Sequence, residues 1–273
     1  MRILLIAIIL TILATSCRYA KNVQLLTGGS VQEKDFLVSI PFEYRKGIIV
    51  VKARLNQDTI TREFIFDTGA FNSKIVKGLA RDLGIPVVTS KKNTDSHGNE
   101  KNIEVGRIDS LILGGIKFYN IGAGLVEYGE GSASPCLAPH GIIGANLIGL
   151  ANWKVDYQKK VIYFSKYSIE PERDNQIIEY SFAKPVFSGT PEIDITLEGN
   201  GIKEVLVDLG SNGGLTLPES FTSTFDAPEK KIYLDQSTTG IYGTKPDRLI
   251  TMPLSLETAA GSYSIPVDFS QNR

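Results

Sequence analysis

One arrangement of residues occurs twice in this chain of 273 residues. Residues 47–76 read GIIVVKARLNQDTITREFIFDTGAFNSKIV: an apolar run, a polar turn, a second apolar run and then Asp-Thr-Gly. Residues 191–221 read PEIDITLEGNGIKEVLVDLGSNGGLTLPESF. They give the same order, with Asp-Leu-Gly at 208–210 in place of Asp-Thr-Gly. Each copy places an aspartate at the end of an apolar run, with glycine two residues later. Duplication of a whole structural unit explains this better than chance, so the sequence predicts two related lobes.

The remaining segments predict a mainly β protein with few short helices. Most are short, rich in Val, Ile, Tyr and Phe, and bounded by Gly, Asn or Asp. Strands are expected at 47–55, 63–66, 109–113, 154–157 and 161–164, the last two forming a hairpin. A helix is expected over 73–83, where apolar residues recur with a helical period and glycine and proline follow.

The N-terminus predicts export. Arg2 precedes an apolar run at 3–14 that is too short to span a bilayer comfortably, followed by Thr-Ser-Cys. This segment resembles a bacterial lipoprotein signal, which implies that Cys17 is lipidated. We therefore expect a signal peptide at 1–16 and a protein of the cell envelope, anchored to a bacterial membrane and facing the periplasm. An ordinary cleaved signal with an incidental cysteine is the alternative.

The expected division of the chain follows from the repeat and from one linker. After a tether at 17–35, the first lobe is expected at 36–170 and the second, truncated, lobe at 171–273. The join lies near the charged, proline-containing EPERDN at 170–175.

Charge and cysteine content exclude some classes of function. The formal net charge of −1 gives no electrostatic reason to expect nucleic acid as a partner. Cys136 has His140 four residues on, which suggests a nucleophile pair or part of a metal site. One cysteine and one histidine are too few for a usual zinc site, and a small inert thiol is the simpler interpretation. No metal or other cofactor is expected.

The repeated aspartates have a chemical logic. The strand fixes the backbone, and glycine lets amide groups approach the carboxylate closely. Two such loops facing each other would bring two carboxylates near one water molecule. Like charges so close cannot both ionise, so the pair would share a proton. One carboxylate could then take a proton from water while the other donates one.

Two motifs carry a family resemblance. DTGA at 67–70 resembles the active-site loop of pepsin-like and retropepsin-like aspartic proteases, and HGIIGANL at 140–147 is similar to the strand that passes through that loop. The resemblance implies a two-lobed acid-protease fold and an aspartic endopeptidase that hydrolyses polypeptides. It also implies the site residues: Asp67 and Asp208 as catalytic carboxylates, with Thr68, Gly69, Ala70, Gly210, Ser211, Ile142, Ile143 and Gly144 supporting the loops.

The second copy departs from the family pattern. Leu209 stands where the family has Thr or Ser, so only Thr68 can contribute a hydroxyl to the lock between the loops. If Ser211 points at its own carboxylate, Asp208 is the more readily ionised base and Asp67 the proton-bearing acid. No apolar-apolar-Gly strand follows Ser211, so the second lobe is expected to be incomplete.

The family resemblance also implies two hairpins that cover the substrate. These hairpins are expected to turn at 96–99 and 240–243, with His97 exposed and without a catalytic role.

Because of the departures in the second copy, two alternatives stay open. One is a non-catalytic lipoprotein that binds peptide or ligand in a protease-like cleft. The other is a homodimer in which each chain contributes Asp67.

Overall fold

The computed structural model describes residues 23–171, 177–185, 189–225 and 231–271. The expected signal peptide at 1–16, the lipidation site at Cys17 and most of the linker at 170–175 lie outside these residues. Within them, no helix is long and apolar enough to cross a membrane.

The described chain is mainly β, as predicted. Nine strands form one sheet in the order β1-β9-β6-β10-β5-β4-β8-β7, with β3 paired to β4, and three form a second in the order β11-β12-β2. The strands of these two sheets are β1 (Ser30–Val31), β2 (Leu37–Pro41), β3 (Glu43–Arg45), β4 (Ile48–Leu55), β5 (Arg62–Phe66), β6 (Ser73–Val76), β7 (Val87–Thr94), β8 (Glu100–Leu113), β9 (Ile116–Val126), β10 (Gly141–Ile143), β11 (Asn152–Asp156) and β12 (Val161–Ser165).

The third sheet belongs to the second copy of the repeat. Its seven strands follow the order β13-β14-β18-β19-β16, with β15 paired to β14 and β17 to β18. They are β13 (Phe182–Ala183), β14 (Glu192–Leu197), β15 (Asn200–Leu206), β16 (Leu215–Pro218), β17 (Ile232–Gly240), β18 (Gly243–Thr258) and β19 (Gly261–Ser270).

Helices are few and short. They are α1 (Lys77–Asp82), α2 (Ser134–Leu137) and α3 (Ala145–Ile148), with a turn of 3₁₀ helix at Glu219–Ser223. A further helical turn covers residues 23–27. The helix expected over 73–83 is wrong in its first four residues, which form β6. That segment pairs with β9 on one side and β10 on the other, and these backbone hydrogen bonds override its helical periodicity.

The predicted repeat appears as two similar hairpins. β4 pairs with β5 before the first aspartate, and β14 pairs with β15 before the second. Both Glu198 and Gly199, in the turn of the second hairpin, have positive φ angles of 47° and 76°. This backbone suits the right-handed twist of a tight hairpin. The predicted hairpin of β11 and β12 is also present.

Two main hydrophobic cores stabilise these sheets. The first joins the nine-stranded and three-stranded sheets, where Trp153 stacks on Phe164 with ring centroids 4.7 Å apart. The second lies within the third sheet around the fully buried Met252 and Phe269. Each copy of the repeat therefore presents its aspartate from a sheet with its own packed core.

Candidate active site

β5 determines where the first aspartate lies. Phe64 and Phe66 are fully buried, and the Phe66 ring contacts Trp153 with centroids 5.1 Å apart. β10 runs parallel to β5, and the carbonyl of Ile143 accepts the Asp67 N–H at 3.0 Å. The start of the DTGA loop is thus fixed from both sides, so the carboxylate projects from rigid backbone.

The strand β10 and the glycine after it support the rest of this loop. Ile142 is buried, and the Ala145 N–H donates to the carbonyl of Ala70 at 2.8 Å. The Gly144 N–H donates to the Ser73 hydroxyl at 3.1 Å. A Cβ at position 144 would come within 2.7 Å of the Ala70 carbonyl oxygen, closer than real Cβ contacts. The segment after β10 continues as α3, so GIIGANLIGL is a strand followed by one helical turn.

Each of the two aspartates is held by its own loop. Asp67 Oδ1 accepts the Ala70 N–H at 2.8 Å, and Asp208 Oδ1 accepts the Gly210 N–H at 2.8 Å. An N–H donated to a carboxylate orients it and favours its ionised form. The two loops therefore present their carboxylates in related ways despite the difference in sequence.

The two carboxylates also pack against each other's loops. A Cβ on Gly69 would lie 2.5 Å from Asp208 Cγ, and a Cβ on Gly210 would meet the Asp67 carboxyl group even more closely. Only glycine leaves room for this approach. The structure thus brings the two predicted catalytic carboxylates together within one chain, each against the glycine of the opposite loop.

Thr68 joins the two loops through its hydroxyl. The hydroxyl donates to the carbonyl of Val207 at 2.6 Å and accepts the N–H of Leu209 at 2.9 Å. The Leu209 side chain packs against the first hydrophobic core instead of returning a hydroxyl bond. The two hydrogen bonds of the Thr68 hydroxyl and the apolar packing of Leu209 therefore hold the Asp208 loop against the first lobe.

Ser211 forms no hydrogen bond with the aspartate of its own loop in the described residues. Its hydroxyl accepts the Gly213 N–H at 3.2 Å, and no hydrogen bond joins it to Asp208 in the described structure. The hydroxyl is used to close the glycine-rich turn after the loop. Any asymmetry of the carboxylate pair therefore needs a source other than Ser211.

Burial makes Asp67 a weak acid. Loss of hydration raises the pKa of Asp67 to about 7, and the neighbouring charge of Asp208 acts in the same direction. The ammonium group of Lys74 and the N–H of Ala70 oppose this rise. A carboxyl group with such a pKa keeps its proton in acidic solution, as the proton donor of a carboxylate pair must.

The third sheet lacks a counterpart of β10 in its described residues. β16 pairs in parallel with β19, as β6 does with β9, but no strand lies between β15 and β16. The Asp208 loop is supported from the first lobe instead, since the Asn212 side chain also donates to the carbonyl of Lys46 at 3.2 Å.

The two expected hairpins are present and touch each other. β7 and β8 turn at 95–99, and β17 and β18 turn at 240–243. His97 Nε2 lies 2.6 Å from the Thr238 hydroxyl, the Lys245 ammonium donates to the His97 carbonyl at 3.2 Å, and the Asn93 amide donates to the Tyr242 hydroxyl at 2.8 Å. His97 was expected to be exposed. It is half-buried instead, because the opposite hairpin covers it.

Cys136 and His140 form no site of their own. Cys136 is an exposed free thiol, and His140 Nδ1 accepts the N–H of Glu63 at 3.0 Å. Throughout the described ranges, no group of three or more His, Cys, Asp or Glu side chains could hold a metal ion.

Two site residues were missed by the sequence reasoning. Lys74 is 7% exposed and Asn72 is 1% exposed, and both lie directly after the DTGA loop. The Asn72 amide oxygen accepts the Lys91 ammonium at 2.8 Å. A lysine within the otherwise apolar KIV of β6 was the signal that could have identified this cluster.

Part of the chain is similar to known aspartic proteases. The aspartyl protease family model matches residues 51–147, which include the DTGA loop and β10. A retropepsin-like aspartic protease from Rickettsia conorii is 18% identical over 48% of this chain and 93% of its own, with a TM-score of 0.36. Basic 7S globulin from soybean is 10% identical over 85% of this chain and 86% of its own, with a TM-score of 0.44. No curated protein sequence matches the chain.

Proposed function

We propose that this chain, whose residues 51–147 match the aspartyl protease family model, is an aspartic endopeptidase that cleaves polypeptides with Asp67 and Asp208. The observation that carries the proposal is the reciprocal packing of each carboxylate against the glycine of the other loop. Two carboxyl groups at that separation hold one proton between them at acidic to neutral pH.

The proposed mechanism assigns different tasks to the two carboxyl groups. Asp208, ionised, takes a proton from a water molecule held between the loops. Asp67, protonated because burial raises its pKa to about 7, donates its proton to the carbonyl oxygen under attack. The water oxygen forms a bond to the carbonyl carbon and gives a neutral tetrahedral diol. Transfer of a proton to the leaving nitrogen then releases the amine and the acid.

The paired hairpins support a polypeptide as the substrate. The hairpin of β7 and β8 and the hairpin of β17 and β18 meet through three hydrogen bonds: two between side chains and one to the backbone carbonyl of His97. A long chain could thread beneath such a cover once the hairpins separate. We therefore propose extended segments of polypeptide as substrates, bound between the hairpins and the carboxylate pair.

A second candidate function is peptide binding without cleavage. The observations in its favour are Leu209 in place of a hydroxyl residue and the lack of a strand between β15 and β16 in the described residues. A homodimer that pairs two copies of Asp67 is less well supported, since Asp208 of the same chain already packs against Gly69.

Digestion of an unbiased peptide pool distinguishes these functions. The pool is incubated with the chain at several pH values, with and without a statine-type inhibitor, and cleavage is read by mass spectrometry. Asp67→Asn and Asp208→Asn should both abolish cleavage, whereas Asp35→Asn, which changes an exposed carboxylate, should leave it intact. Loss in Asp67→Asn alone would favour the homodimer. Retained peptide binding with no cleavage by the parent chain would favour the binding protein.

We also propose that the chain is exported and tethered by lipid at Cys17. The support is the basic, apolar and Cys-containing pattern of residues 1–17. Metabolic labelling with palmitate in a bacterial host should label the full chain, and Cys17→Ser should remove the label. Labelling that persists in Cys17→Ser would refute the anchor.

A further inference from the structure

Lys74 is a buried lysine close to the candidate catalytic carboxylates. It lies on β6 and is 7% exposed. A lysine ammonium is rarely buried without a counter-charge, because loss of hydration is costly. Its one hydrogen bond in the described structure is to the Asn72 carbonyl at 3.4 Å, which is too long to offset that cost.

The register of the sheet turns Lys74 towards Asp67. Lys74 is paired with Ile142, and Ile142 is paired with Ile65, so the three side chains share one face of the sheet. Asp67 follows Ile65 by two residues and continues on that face. On the other side of β6, Lys74 is paired with Gly124 of β9. Glycine has no side chain, so nothing at this position shields the lysine.

The charged groups that face Lys74 are few. Asp67 approaches from the loop after β5, with Asp208 behind it from the second lobe, and Lys91 approaches from β7. β9 and β10 contribute only the uncharged Gly124 and Ile142 opposite Lys74. The carboxylate pair is therefore the only source of negative charge for this ammonium among the described groups that face it.

Asn72 and Lys91 fix the cluster. The Lys91 ammonium donates to the Asn72 amide oxygen at 2.8 Å and lies 4.9 Å from the centroid of the Phe71 ring. The Asn72 amide nitrogen donates to the carbonyl of Ser73 at 2.9 Å. Because both the oxygen and the nitrogen of its side-chain amide are hydrogen-bonded, Asn72 is fixed in place. Its backbone carbonyl faces Lys74. The lysine is held in place although no carboxylate among the described residues forms an ion pair with it.

We propose that Lys74 is a positioning residue whose buried ammonium stabilises the singly ionised state of the Asp67–Asp208 pair. The pair in its working state carries one negative charge, and the positive charge of Lys74 offsets it. The attraction favours loss of the first proton from the pair and so extends the working range to lower pH. This role rests on the proposed function only in its effect on rate, because the charge state of the pair can be measured without a substrate.

Removal of the charge should shift the titration of the pair upward. Lys74→Met keeps the length of the side chain, and Lys74→Gln keeps a donor for the Asn72 carbonyl. In both variants we expect the midpoint for Asp67, followed by NMR of the full chain with ¹³C-labelled aspartate, to rise by about one pH unit. Lys92→Met is the matched control, since Lys92 is exposed and its ion pair with Glu100 lies outside the site.

The rate measurement gives a second and separate result. Because Asp67 must keep its proton to act as the acid, its midpoint sets the alkaline limb of the kcat/KM profile, and that limb should move upward by the same amount. The acidic limb, which reports loss of the first proton from the pair, should also move upward, so that kcat/KM below it falls. An unchanged Asp67 midpoint in either folded variant overturns the proposal, even if activity is lost. A shifted midpoint in a chain whose parent cleaves no peptide supports the role of Lys74 and refutes the proposed protease function.

Discussion

The buried proton of Asp67 predicts how the stability of the protein depends on pH. The pKa of this carboxyl group is about 7 in the folded chain, against an ordinary value of 3.8. The side chain therefore loses its proton less readily in the folded state than in the unfolded state. Replacement by asparagine, which has the same shape and never ionises, removes this difference.

The sign and the magnitude follow from the two pKa values. A raised pKa contributes stability that is fully present below pH 3.8 and is lost as the pH rises through 7. The difference is about three pH units, and each unit corresponds to about 1.4 kcal/mol. Asp67→Asn should therefore be more stable than the parent at pH 8 by up to about 4 kcal/mol, relative to the same comparison at pH 3.

Urea unfolding at both pH values measures the effect. Asparagine can still accept the Ala70 N–H through its amide oxygen, so the local hydrogen bond of the loop is kept. Asp35→Asn, at an exposed position, is the control for a general effect of removing one negative charge. The free energy of unfolding of this control should change by less than about 0.5 kcal/mol at either pH. An equal change for Asp67→Asn at pH 3 and pH 8 would show that folding does not raise the pKa of Asp67.

Three further substitutions test the packing of the site. Thr68→Val removes both hydrogen bonds to the second loop and should lower the free energy of unfolding by about 2–4 kcal/mol in urea titrations, whereas Thr68→Ser should retain most of it. Gly69→Ala places a Cβ 2.5 Å from Asp208 Cγ, so cleavage should fall at least about a hundredfold; activity near the parent level would contradict the close approach of the two carboxylates. In α3, Asn146 accepts the N–H and the hydroxyl of Ser73 and donates to the carbonyl of Gly122. Asn146→Ala removes these three buried hydrogen bonds and should cost about 2–4 kcal/mol, measured by thermal or urea unfolding.

Several features of the fold could be predicted because they depend on local pattern. Short apolar runs between turn residues gave the two strands that precede Asp67 and the hairpin at 155–164. The repeat predicted that the chain would form the same hairpin twice before an aspartate. The helix over 73–83 was wrong at its start because residues 73–76 lie between two partner strands, and periodicity in a short segment carries no information about those partners.

The local sequence pattern also could not predict how exposed the hairpin at 96–99 is. A polar turn rich in small residues normally faces solvent, and His97 was expected to do so. The hairpin at 240–243 covers it, through residues about 140 positions further along the chain. Sequence spacing alone does not encode that contact.

The sequence by itself determined the identity of the two loops and the chemistry they can perform. Asp, Thr and Gly in order after an apolar strand, and the second Asp-x-Gly, are local features of the chain. The tertiary structure decided which groups surround the carboxylates: Gly69 under Asp208, Thr68 against Val207, and Lys74 on the face of Asp67. The reason is physical, since strand formation depends on neighbouring residues, whereas the charge state of a buried carboxylate depends on groups that only folding brings together.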